Sequence, residues 1–457
     1  MKKILLTAVS ALALTTVAHA NNSTSSITQS NTGNNADVNQ VATTTGGVST
    51  INQSGADNIA KLTQKDDASG TTPGQTSNIQ QSGSNNSAIV TQTLESALTL
   101  TKNASTVIQS ANGNVATVNQ KDDGQTSYVE QASVGNTATV TQGKAGVGEA
   151  AWENSSTIYQ GGTGSHDATV SQTGHNNSSS ISQIDSNHLA DVSQSGNYNV
   201  SSVSQAGNNN FSYTTQGGNN NQAYTTQTGL DGSISTITQD GSANLASVVQ
   251  TDDGDNLSNP PLNNSTITQS GNGNKATVDQ NAQTAIIDNN STIIQSGNGN
   301  NASLAQKDDS QYSLIEQTGN GSTAAVVQGQ LQSGTDNSWG NTSSVSQSGN
   351  TQSAYVEQVN LSGWSDIDQS NGLNSATVLQ SGNNATSDVD QTGSDNDSFV
   401  NQYGVNADAD VFQSGNLNLS TILQGGTGNY ASVTQTTNGN SSFIDQTGAS
   451  NQAYVAQ

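Results

Sequence analysis

The sequence predicts an all-β chain: a β-solenoid of about 18 two-strand coils with two facing parallel sheets, the cross-β arrangement. Three observations carry this reading. A ladder of about 36 glutamines, most of them 11 residues apart, runs from Gln29, Gln40, Gln53 and Gln64 to Gln457. The residues before each glutamine alternate small or apolar with polar, which is the period of a strand. A short run of Ser, Gly and Asn separates one strand from the next, the composition of a turn. A repeat on this scale marks an architecture in which each unit buries its face only against its neighbours.

Taken in order, residues 1–20 have the three parts of a secretory signal peptide. Lys2 and Lys3 precede an apolar run from Ile4 to Val17, and Ala18-His19-Ala20 is a small-x-small cleavage site. The repeat region is then residues 21–457. No later segment approaches the roughly 20 apolar residues a spanning helix needs, so the chain is read as not membrane-spanning.

Two kinds of five-residue strand precede the glutamines. One is Ser-x-Ile/Val-x-Gln, as in Ser49, Ile51 and Gln53; the other is Ala-x-Val/Leu-x-Gln, as in Ala60, Leu62 and Gln64. Alternation puts these named residues on one face, and the regular set is expected to point inward. Between them Ser54-Gly55-Ala56-Asp57-Asn58 reads as a turn, with Gly55 and Asn58 as its fixed positions. Strand, turn, strand and turn take about 22 residues and close one coil. Stacking coils at about 4.8 Å would lay Ile on Ile, Ala on Ala and Gln on Gln, a rod of about 86 Å. Inward Gln and Asn bonded to their copies would then leave this polar interior without unsatisfied groups.

The same ladder reads through Ser265, Ile267, Gln269, Asn274, Ala276, Val278 and Gln280. Gly271-Asn272-Gly273-Asn274-Lys275-Ala276 fits a dinucleotide-binding glycine fingerprint on paper. That fingerprint needs a following helix, and Ala276 to Gln280 has strand periodicity instead. The segment is a turn between strands.

Composition narrows the class. There is no cysteine, so disulfides cannot hold an exported chain together. Hydrophobic residues are 30% and charged residues 9%, against about 45–50% and about 25% in ordinary globular domains. The formal charge of −25 becomes −27 once Lys2 and Lys3 leave, with seven lysines, no arginine and 34 acidic residues remaining. Nucleic-acid recognition rests on basic patches and is excluded on this balance.

The pattern S-x-I/V-x-Q-x-G-x-x-N-x-A-x-V-x-Q resembles the curlin repeat of curli, the functional amyloid fibres of bacterial surfaces, over nearly all of residues 23–457. The chain is unusually long for that family. The resemblance implies an amyloid-forming, secreted structural subunit of cell-surface fibres on a Gram-negative-type bacterium, serving adhesion, aggregation and biofilm matrix. It also implies self-assembly as the main partnership, with a secretion channel, a nucleator and a chaperone. Where the family's major subunit has a glycine-rich segment for the channel, Asn21-Asn22-Ser23-Thr24 runs almost directly into the first strand. The last strand pattern, Ala453 to Gln457, reaches the final residue, and bare strand ends are polymerisation surfaces.

Irregularities carry further expectations. Six larger insertions follow Gln64, Gln92, Gln142, Gln250, Gln280 and Gln328, each between an alanine-type and a serine-type strand. The alternation of types slips near Gln216–Gln227 and near Gln391–Gln413, which predicts the first three insertions on one edge and the last three on the other. Lys65-Asp66-Asp67, Lys121-Asp122-Asp123 and Lys307-Asp308-Asp309 occupy the permissive turns, as does Asp252-Asp253. They read as turn residues whose charge keeps edges apart; the glycine-spaced loop of a calcium site is absent. Tyr128, Tyr224, Tyr355, Tyr454, Phe399 and Phe443 fall at outward positions, while Trp152 and Trp339 lie in insertions.

For chemistry the chain offers His166, His175 and His188, each in or beside a turn. Three turn histidines in neighbouring coils could bind a metal, but the stronger expectation is no catalytic residue, no metal and no cofactor. The function expected is therefore that of a structural fibre subunit. The alternatives are a minor nucleator or a soluble solenoid adhesin or binding rod.

Overall fold

A strand with one regular face and one variable face can stack on its own copies without limit, provided each copy keeps its register. The computed structural model realises that stack. It describes residues 23–42, 46–66, 74–94, 102–143, 153–229, 232–252, 263–282, 289–307, 310–329, 340–359 and 361–457. Residues 1–20, read from the sequence as a signal peptide, and Trp152, Trp339, Asp67, Asp253, Asp308 and Asp309 lie outside these residues. The described residues hold no helix and form 36 strands, numbered in chain order from β1 (Thr24–Gln29) to β36 (Gln452–Ala456).

The chain divides into two compact units, residues 1–199 and 200–457. In the first unit, β1 to β14 (Leu189–Gln194) make seven two-strand coils. Odd strands pair with odd strands and even with even, all parallel. Ser25, Ile27 and Gln29 lie opposite Ser49, Ile51 and Gln53. On the other sheet Ala36, Val38 and Gln40 lie opposite Ala60, Leu62 and Gln64.

The second unit repeats the plan with eleven coils, from β15 (Val200–Asn208) to β36. Here β20 (Asn264–Gln269) pairs with β22 (Asn290–Gln295), setting Ser265 on Ser291, Ile267 on Ile293 and Gln269 on Gln295. Opposite it, β21 (Lys275–Ala282) pairs with β23 (Asn301–Gln306), setting Ala276 on Ala302 and Val278 on Leu304. The Ile, Val, Leu and Ala columns of the two sheets meet in a core whose members, such as Ile267, Ala276 and Ile293, are fully buried.

Most strands run six residues, one more than the glutamine pattern suggests. The extra residue joins because its amide bonds to the neighbouring coil: the Lys275 N–H donates to the Asn300 carbonyl at 2.8 Å. The alternation slips at β15 and β16 (Phe211–Gln216), whose inward residues Ser201 and Ser212 are both serine. It slips again at β30 (Thr386–Gln391) and β31 (Asp397–Gln402), with Ser387 and Ser398. Pairing continues across both, placing Ser201 beside Ala223 and Ala376 beside Ser398. Serine and alanine are close enough in size to substitute in one column.

In the first unit the three larger insertions all leave even strands, β4 (Ile59–Asp66), β6 (Ser87–Leu94) and β10 (Thr137–Gln142). In the second unit they leave odd strands, β19 (Leu245–Asp252), β21 and β25 (Thr323–Gln328). That parity follows from the first slip.

The turn Ser270–Asn274 shows why two glycines occur in it. Gly273 has φ +67°, with open space where a Cβ would stand, and Asp57 takes the same kind of conformation at the equivalent site. Gly271 is needed for a different reason. A Cβ there would come within 1.7 Å of the Gly297 carbonyl oxygen in the next coil.

Candidate functional site, the inward amide ladders

Glutamine is long enough to cross from its own strand to the facing one, and its amide carries two donors and one acceptor oxygen. The stack uses both donors. Gln269 Nε2 donates to Gln295 Oε1 at 2.8 Å, Gln295 to Gln317 at 2.8 Å, and Gln317 to Gln347 at 2.8 Å. The second hydrogen goes across the coil to a backbone carbonyl of the preceding strand, as from Gln280 to Asn264 and from Gln295 to Lys275. In the first unit Gln53 donates to Gln81 at 2.7 Å and Gln64 to Gln92 at 2.8 Å. Gln457 accepts from Gln435 at 2.8 Å.

The turn asparagine makes a second ladder. Asn58 Oδ1 accepts the Asn86 N–H, and its Nδ2 donates to the Gly83 carbonyl at 2.7 Å. Asn274 Oδ1 likewise accepts from Asn300, and its Nδ2 reaches the Gly297 carbonyl. Each turn thus uses its side chain to hold the backbone of the next. Gly55 supplies the close approach, since a Cβ on it would sit 1.8 Å from the Gly83 oxygen.

Serine behaves differently from the amides. The hydroxyls of Ser49, Ser265, Ser313, Ser343, Ser365 and Ser387 are buried with no hydrogen-bond partner among the described residues. The interior is therefore not free of unsatisfied groups, contrary to the sequence expectation. A serine Oγ is too short to reach the facing strand, and its own strand's backbone groups are already paired with neighbouring coils.

The turn acids also differ from expectation. Asp122 and Asp123 are buried rather than carried on the surface. Lys121 continues the preceding strand, so Asp122 falls on the inward alternation. The Asp122 carbonyl accepts from Asn103 Nδ2 at 2.7 Å and the Asp123 carbonyl from Gln125 Nε2 at 3.1 Å.

Acidity concentrates elsewhere, on the outward face of three successive even strands. Asp366 on β28 (Trp364–Gln369), Asp388 on β30 and Asp410 on β32 (Asp408–Gln413) lie in register, with Asp368 beside Asp390 in the adjacent column. Burial pushes the Asp388 carboxyl up to about 6, and the charges of Asp390, Asp366, Asp410 and Asp368 add to it. Asp366 and Asp390 are raised too, in each case chiefly by burial. These residues repeat at 22-residue spacing, and that spacing was the signal available in the sequence.

Outward aromatics are exposed or half-buried. Tyr224, Phe443 and Tyr454 are exposed, while the Tyr128 and Tyr355 hydroxyls donate to Glu130 at 2.6 Å and Glu357 at 2.8 Å.

The histidines do not gather as a metal site. His166 and His188 stack with ring centroids 5.1 Å apart, whereas His175 lies on the connection leaving an even strand, at the other edge of the first unit. Among the described residues no three His, Cys, Asp or Glu side chains are placed to hold a metal. His166 and His188 instead take ladder positions of asparagine. His188 follows Gln183 by five residues, as Asn58 follows Gln53, a spacing that marks the substitution.

The curlin associated repeat matches residues 186–213, 366–393, 374–404, 406–436 and 426–457. Over these stretches the chain carries curlin repeats. No curated protein matches it closely enough to count as a relative. The matched stretches include the second slip and the whole aspartate column, Asp366, Asp388 and Asp410, so these irregularities sit inside the repeat. Both the repeat and the solenoid are structural in kind.

Proposed function

We propose that this protein is a secreted structural subunit of curli-like amyloid fibres on a bacterial surface, where it supports adhesion, aggregation and the biofilm matrix. The observation that carries the reading is the ladder itself. Each coil offers the next the same amide donors, amide acceptors and apolar columns in the same register, so a coil of a second molecule finds the same partners as a coil of the first. Export through residues 1–20, and a secretion channel, nucleator and chaperone as partners, belong to this proposal. The ladder residues act as a template, with no catalytic or cofactor role.

The test is assembly of residues 21–457 in dilute buffer. The expected result is unbranched fibres in electron micrographs, binding of an amyloid dye and a fibre reflection near 4.8 Å. A chain that stays monomeric for days and gives none of these would overturn the proposal.

A further inference from the structure

Within the first unit, one stretch of the asparagine ladder is built from a titratable side chain. Asn136 Oδ1 accepts the His166 N–H at 3.0 Å, and His166 Nδ1 accepts the His188 N–H at 3.4 Å. His166 Nε2 lies 2.7 Å from the Gly161 carbonyl and His188 Nε2 lies 2.7 Å from the Ile184 carbonyl. A carbonyl can only accept, so each Nε2 carries its hydrogen. His166 Nδ1 is then the bare acceptor that the ladder requires.

A neutral imidazole offers one donor and one acceptor, as an asparagine amide does along this ladder; an imidazolium offers two donors. Protonating His166 would aim an N–H at the His188 N–H. It would also place a cation face to face with a ring tilted by only 7° from its own plane. Both rings are buried, each about 1% exposed.

We infer that His166, stacked on His188, is an acid-labile joint in the first unit, opening the turns around residues 161–165 and 184–188 when its ring takes up a proton. The charged groups around it are few. Asp185, on the adjoining turn, is the carboxylate that faces His166, and it favours the protonated ring. Gly161–Ser165 and Ser133–Gly135 carry no titratable side chain, and Asp167, next in the chain, is exposed. Burial outweighs the Gly161 and Asp185 backbone carbonyls and the Asp185 charge together, and holds the His166 ring below its ordinary value. The sign follows: the opened turn binds a proton that the closed turn refuses, so closure is full above the ordinary histidine value of about 6.5 and weakens as pH falls below it.

Amide hydrogen exchange of the full chain, corrected for intrinsic rates, tests this at about pH 7.5 and about pH 5.5. The amides of Thr163, Gly164 and His188 are expected to open about tenfold more often at the lower pH for each proton taken up. The double variant His166→Asn and His188→Asn restores the residue usual at these positions and is expected to lose that response. An equal pH response in wild type and variant, or none in wild type, overturns the inference. A nitrogen-15 titration of the His166 ring in wild type gives an independent reading. A midpoint at or above 6.5 with the ladder intact refutes it whether or not the variant folds.

Discussion

Gln317→Leu in the second unit separates the hydrogen-bonded ladder from mere filling of space. Leucine is close to glutamine in volume, so little cavity forms and the loss is confined to the amide. Gln317 Oε1 accepts from Gln295 Nε2 at 2.8 Å, and Gln317 Nε2 donates to Gln347 Oε1 at 2.8 Å. Its second bond, to the Asn301 carbonyl, is long at 3.4 Å and weak. In the variant Gln295 keeps its bond to the Lys275 carbonyl, while the buried Gln347 Oε1 loses the donor of its ladder bond. Leaving a buried group unsatisfied costs about 1–3 kcal/mol, and the other bond is worth about 0.5–1.5 kcal/mol. The expected loss is therefore about 2–4 kcal/mol. A repeat array does not unfold as one two-state body, so the measurement is local hydrogen exchange over residues 290–317 and 341–347. Exchange through local opening should accelerate by about 30-fold to about 1000-fold at about 1.4 kcal/mol per decade. Glu316→Gln, at the neighbouring outward position, should stay within about 0.5 kcal/mol of wild type. If Gln317→Leu exchanges within threefold of the control, the ladder is not what holds these coils.

Two other substitutions test the remaining polar features. Ser265→Ala removes a buried hydroxyl that has no partner and should be neutral or stabilising by up to about 1 kcal/mol; clear destabilisation in the same exchange assay would show that the hydroxyl is bonded after all. Asp388→Asn should stabilise the strands that carry the aspartate column by about 1 kcal/mol at pH 7, a figure already reduced for the solvent screening of a half-buried group. Because the folded carboxyl sits near 6, above its ordinary value, wild type gains stability as pH falls from 7 through 6, and the advantage of the variant should vanish near pH 4. A variant no better protected than wild type at pH 7 would refute the repulsion argument.

The fold was legible because two periods coincide. Alternation in strands such as Ser265 to Gln269 fixes which side chains point inward, and the 11-residue beat fixes where the chain turns. Together they determine register even across insertions, since a slip of one residue would turn Ile267 outward. What was not legible depends on neighbours 22 residues or more away. Asp390 in its own strand repels Asp388, and Asp366 and Asp410 on adjacent coils add a share that only the stacking creates. Asp122 reads as an ordinary turn acid until Lys121 is seen to extend its strand. The lone serine hydroxyls escaped notice because composition counts a polar group without measuring its reach, and a serine is two bonds shorter than the glutamine beside it. His166 and His188 look like stray turn residues until their ring nitrogens are matched with the amide atoms they replace.

Along each unit the ladder glutamines donate toward the coil that follows in the chain and accept from the coil before, as from Gln53 to Gln81, Gln269 to Gln295, Gln295 to Gln317 and Gln435 to Gln457. The side-chain dipoles of a column therefore all point one way and reinforce one another, as in any hydrogen-bonded chain within a low-dielectric interior. Such a column has a sense of direction, like an arrow. One face of a stack offers free amide hydrogens, and the other offers bare oxygens. A coil arriving at the first face is met by donors and at the second by acceptors, two chemically unlike encounters. Growth at the two faces then has no reason to proceed at equal speed.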